Sequence, residues 1–172
     1  MKKMLMRIFI LTCGPQEGSS EIDTIPVLPL KSDADFDKFC ALCTKEDAKL
    51  GMVKYLSEHG LNDLRETIFF MLKKLISNEY AINFNLTGVN RKGVHTAKKK
   101  FDDTLPCIVL KAAVKQHSRT LAMRGADARH KYNSSEFRSA VSDWLKDAKK
   151  RADNDRQREL RRQRQGEESG ED

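Results

Sequence analysis

Between positions 90 and 100 the chain carries Arg91, Lys92, His95, Lys98, Lys99 and Lys100 and no acidic residue. Cations crowded on a glycine-broken loop suit one chemistry above others, displacement of the counterions condensed on a phosphate backbone. A second basic set follows at helical spacing: Arg138, Ser139, Ser142, Lys146, Lys149 and Lys150 fall along one strip. The hydroxyls there, like Asn90 in the loop, offer neutral contacts to phosphates or base edges. Duplex DNA is the expected ligand, because a single tryptophan leaves too few aromatics for a single-strand stacking platform.

Other chemistries are poorly served. Gly88 and Gly93 have the spacing of a phosphate loop, but Val94 and His95 stand where lysine and Ser or Thr are required. His59, His95, His117 and His130 belong to no motif with a Cys or Ser partner, and neither HExxH nor a paired-carboxylate arrangement occurs. Cys40 and Cys43 offer half a zinc set without a second half, and sharing a helix face with Phe36 and Phe39 assigns them to the core. A non-catalytic chain is expected, with no cofactor, no metal and no small-molecule substrate.

Charge is distributed unevenly along the 172 residues. Positions 1–90 hold 11 basic and 12 acidic groups, positions 91–165 hold 21 and 9, and positions 166–172 carry four acids and no base. A basic excess confined to one half favours a polyanionic partner, nucleic acid before membrane. The bland alternative is a lysine-rich solvated face. Four scattered cysteines are too few for a disulfide framework in a chain this long. The run MKKMLMRIFILTC resembles a secretory signal, but Arg7 interrupts it and no small-residue cleavage pattern follows, so an intracellular protein is expected. Only secretion would give meaning to the Asn85 and Asn133 glycosylation triplets.

These side chains must be positioned by helices. The expected fold is all-α, a compact orthogonal bundle of about five short helices with an extended strap before it and a long basic amphipathic helix after it. Flexible chain is expected over 1–27, the helical domain over 28–116, a connector over 117–133, the amphipathic helix over 134–151 and a charged helical or disordered tail over 152–172. The centre is 62–101. Asn62 is expected to cap a helix whose Leu64, Ile68, Met71, Leu72, Leu75 and Ile76 share a side widened by Phe69 and Phe70. Ser77 caps a short helical turn over 78–84, and Phe101 anchors the far end of the basic loop. Before it, Ser32 caps a helix through Cys43, and Thr44 with Asp47 caps another over 45–59 that ends at Gly60 with His59 capping its terminus. After it, Thr104 and Pro106 open an apolar helix over 107–114. From Ser134, the positions Phe137, Ala140, Val141, Trp144, Leu145 and Ala148 occupy one third of a helical wheel.

The runs LPLKSDADFDKF, IFFMLKKLISNEYAINFNLTG and KKKFDDTLPCIVLKAAV, with Gly60, resemble the eukaryotic domain of unknown function 4806 over about residues 28–116. More distantly, the order of a helix, LISNEYA, TG, basic loop and D-x-L helix is similar to the BEN domain of animal chromatin proteins. The resemblance implies an all-helical DNA-binding module in a transposon- or chromatin-related setting, and no individual BEN residue is carried over. Lys149 and Lys150 followed by Arg161, Arg162 and Arg164 fit a bipartite nuclear-localisation pattern, so a nuclear address is expected. The rival reading is a protein-interaction or self-association module, using the Trp144 face or the Phe69 and Phe70 arc.

Overall fold

A computed structural model describes residues 28–89, 97–126 and 128–168. Expectations for 1–27, 90–96 and 169–172 lie outside the described residues. Among the described residues there are seven helices and two two-residue strands, an all-α fold. In chain order they are α1 Asp33–Cys43, α2 Glu46–Ser57, α3 Leu64–Leu75, α4 Asn78–Ala81, β1 Phe84–Asn85, β2 Lys99–Lys100, α5 Leu105–Met123, α6 Ser134–Lys146 and α7 Ala148–Glu168, with a 3-10 turn at Ala128–His130 before α6.

Most helices begin where a side chain can take an orphan amide. Ser32 accepts from the Asp35 N–H, Ser77 from Tyr80, Thr104 from Cys107, and Asn133 from Ser135 and Glu136. Two expected caps differ. Asp63 rather than Asn62 caps α3, accepting from Glu66. Thr44 does not cap α2, because its hydroxyl donates back to Ala41 O at 2.6 Å, and α2 starts after Lys45 without a side-chain cap. Gly60 also has a different role. A Cβ there would stand 2.3 Å from the His117 ring, so its small size matters for packing. His59 caps as expected, with Nδ1 2.8 Å from Tyr55 O.

One core joins the whole bundle. Leu30, Phe39, Leu56, Ile68, Met71, Leu72, Phe84, Phe101 and Leu110 are buried, and Phe137, Val141, Trp144 and Leu145 of α6 belong to the same cluster. Each such side chain removed from water contributes roughly 1.5–3 kcal/mol. Helix α5 packs on α2 and α3, α6 packs on α3, and α4 packs on α7. The strap is extended as expected: Leu30 N–H donates to Leu75 O at 2.9 Å, and Ser77 N–H donates to Leu30 O at 3.0 Å. That pairing ends α3 at Leu75 and leaves Ile76 extended rather than helical.

Three other boundaries differ from the sequence expectation. Phe84 leaves the helical turn, since β1 pairs in parallel with β2, setting Phe84 beside Lys99 and Asn85 beside Lys100. Positions 117–123, expected as connector, continue α5. Their apolar period is lost because polar groups are used inward: His117 places Nδ1 3.0 Å from Ser57 O and Nε2 2.9 Å from Leu61 O, and Ser118 Oγ accepts from Tyr132 N–H at 2.9 Å. The helix expected over 134–151 breaks at Asp147 and resumes as α7. Beyond Ala152 its residues through Gln165 are exposed.

Candidate nucleic-acid interface

The expected cations fall into three groups. Arg91, Lys92 and His95, with Asn90, lie outside the described residues. Lys99, Lys100, Arg138 and Lys146 are described, and each has a carboxylate partner from the fold. Lys149 and Lys150 are exposed and have no such partner among the described residues. Lys98 is half-buried before β2, and Ser142 is half-buried on α6 while Ser139 is exposed.

The pairing follows from local geometry. Strand β2 is held by Lys99 N–H to Asn83 O and Phe101 N–H to Asn85 O, both at 2.8 Å. Its partner turn needs Gly88, whose φ is +76° and whose Cβ would meet Lys100 Cβ at 3.1 Å. Held there, Lys99 Nζ lies 2.6 Å from Asp33 Oδ1 at the start of α1, and the Tyr80 hydroxyl donates to the same oxygen. Lys100 Nζ lies 2.7 Å from Asp103, a residue in the left-handed region at φ 66°. Arg138 of α6 pairs with Asp102 in that same turn. Lys146 lies 3.0 Å from Asp143, which also takes Arg65 of α3 at 2.8 Å. The structure therefore brings Arg138 to the Lys100 turn, but as alternating charge.

The titration shifts agree. Hydrogen bonds from Lys99, then Tyr80, hold the Asp33 carboxyl below its ordinary value. Lys100 lowers Asp103 and is itself raised by it. Arg65, then Lys146, lowers Asp143. Burial raises Tyr80 and pushes the Cys43 and Cys107 thiols up to about 11 and about 12, as expected of core groups. Asn85 and Asn133 serve the backbone: the first donates to Val89 O at 2.9 Å, and the second caps α6.

A basic surface missed in the sequence lies on α5. Lys111, Lys115 and Arg119 recur every four residues on its outer side, about 6 Å apart along the axis. Lys111 and Arg119 are exposed, Lys115 is half-buried over the Tyr132 ring at 5.0 Å, and none has a carboxylate partner among the described residues. Tyr132 is tied to Ser118, which brings the exposed Lys131 to the same helix. Exposed Arg124 follows at the C-terminal end of α5. The signal was present in the sequence: positions 104–135 hold six basic residues and one acid, Asp127.

No family model, curated protein or solved structure matches the chain. Among the described residues, no group of His, Cys, Asp and Glu is arranged to hold a metal ion, and no helix is long and apolar enough to cross a membrane.

Proposed function

We propose that the chain is a non-catalytic nucleic-acid-binding module that docks duplex DNA on the outer side of α5. The observation that carries this reading is the contrast in pairing. Lys111, Lys115 and Arg119 keep their charge for a ligand, whereas the cations of β2 and α6 already face carboxylates of the fold. A phosphate at the second set must displace or approach those carboxylates. At the α5 stripe it meets only ammonium and guanidinium groups that release counterions. The resemblance noted above favours a chromatin- or transposon-related setting, and the exposed Lys149, Lys150, Arg161, Arg162 and Arg164 of α7 favour a nuclear address.

The test is a gel shift of a duplex at two salt concentrations. Wild type should bind with steep salt dependence. Lys111→Glu with Lys115→Glu and Arg119→Glu should lose retention while keeping the helical circular-dichroism spectrum, and Arg138→Gln with Lys146→Gln should bind much as wild type. Equal retention by the α5 variant and wild type would exclude this surface.

A further inference from the structure

Helix α7 continues past the core it starts from. Ala152 is its last buried residue and every residue from Asp153 to Gln165 is exposed, whereas α1, α2, α3, α5 and α6 each bury a face. The charges on this free stretch are sorted around the helix. Asp153, Asp155 and Glu159, its only acids, pair with Arg156, Arg158 and Arg162 one turn on, at 3.7, 4.0 and 3.9 Å. Asn154, Gln157, Arg161 and Arg164 recur at helical spacing, which sets them on one strip about 15 Å long. At about 100° per residue, the acids lie about 80° or more from Arg161 round the axis. The strip is therefore polar, cationic and free of acids, and neither Arg161 nor Arg164 has a carboxylate partner among the described residues. Ion pairing that supports an isolated helix needs no such one-sided arrangement.

We propose that this strip is a base-reading surface, and that the free half of α7 enters the major groove of duplex DNA. The side-chain types are those that make paired hydrogen bonds to base edges there. Arg161 and Arg164 donate to guanine O6 and N7, while Asn154 and Gln157 donate to adenine N7 and accept from its N6 amino group. The dimensions agree. A helix with its side chains is about 10–12 Å across and the groove is about 12 Å wide, so entry requires flanks clear of protein, which α7 has beyond Ala152. Phosphate contacts of the kind proposed for α5 hold a duplex without discriminating its sequence, so base reading is a separate task. The inference rests on duplex DNA being the ligand, but not on which surface supplies the phosphate contacts. An RNA duplex is a poor fit, because its deep, narrow major groove cannot be read by side chains.

Binding-site selection with the full chain tests this, starting from a pool of duplexes with a randomised core at about 0.1 M salt. Wild type should enrich a site of about four or five base pairs rich in G and A, the length that a strip of about 15 Å spans at about 3.4 Å per pair. Asn154→Ala with Gln157→Ala changes no charge and installs a good helix former. It should nonetheless reduce the preference for that site over its scrambled duplex at least about tenfold in fluorescence anisotropy. Arg161→Ala with Arg164→Ala should reduce the preference as far and weaken binding of both duplexes. Salt-sensitive retention without an enriched sequence, full preference in the Asn154 and Gln157 variant, or tighter binding of an RNA duplex of the selected sequence overturns the inference. The first of these outcomes leaves the α5 reading in place. An enriched site whose binding ignores charge reversal on α5 does the opposite, and a chain that retains no duplex at either salt concentration removes both.

Discussion

The β2–α6 corner and the outer side of α5 are both basic, yet they differ in what surrounds the charge. At the corner, Asp33, Asp102, Asp103 and Asp143 reach Lys99, Arg138, Lys100 and Lys146. On α5 no acidic residue occurs from Leu105 to Met123, so none lies within a turn of Lys111 or Arg119 along the helix. Lys111 lies near enough to contribute to lowering Asp103, but forms no ion pair with it. Counting cations along a chain therefore measures net charge, whereas availability depends on which carboxylates folding delivers. At the corner the cations bind elements to one another; on α5 they have no carboxylate partner among the described residues.

The largest effect that tests this contrast is on binding. Reversing Lys111, Lys115 and Arg119 should weaken duplex affinity roughly a hundredfold or more near 0.1 M salt and lower the slope of log affinity against log salt by about 2.7, since each phosphate contact contributes about 0.9. Fluorescence anisotropy across a salt series measures both quantities. An unchanged slope would erase the distinction between the regions.

Next in size is the backbone that holds the corner. Gly88→Val forces a β-branched residue into positive φ and against Lys100 Cβ, and should cost about 2 kcal/mol, a loss of roughly 6 °C in Tm for a chain of this length. Gly125→Ala, also at positive φ but with nothing within 4 Å, should cost only about 1 kcal/mol. The difference between the two melting curves isolates the contact with β2.

Arg138→Ala should follow, at about 1 kcal/mol or about 3 °C, because Asp102 is mostly covered and loses its partner. Lys111→Ala, with no partner to abandon, should leave Tm within experimental error. The smallest effect is on acid stability. Asp33, Asp103 and Asp143 titrate below the ordinary 3.8 in the folded chain, so their stabilisation is present above that value and is lost as pH falls below it. A Tm series from pH 5 to pH 2 should show a steeper decline in wild type than in the triple asparagine variant.

Much of the scaffold was legible before folding was considered. Apolar spacing located α3 and the inward face of α6, and Ser32, Ser77 and Thr104 marked helix starts, because these signals are local: a cap or a 3.6-residue period is satisfied within a few positions. The C-terminal half of α5 was not legible, since His117 and Ser118 face inward and satisfy groups 14 to 60 residues away. The same limit applied to the candidate site. The sequence identified a basic second half and the residue types able to meet phosphate, but not which charges remain unpaired.

By itself, then, the sequence determined an all-helical chain, the strap at Leu30, the anchor Phe101, and a positive second half, all consequences of composition and short-range periodicity. Only the tertiary structure decided that Asp33 would reach Lys99 across 66 residues and Asp102 would reach Arg138 across 36, while Arg151 would settle on Trp144. The physical reason is that ion pairing depends on distances of a few ångströms between side chains, and those distances exist only once the helices have packed.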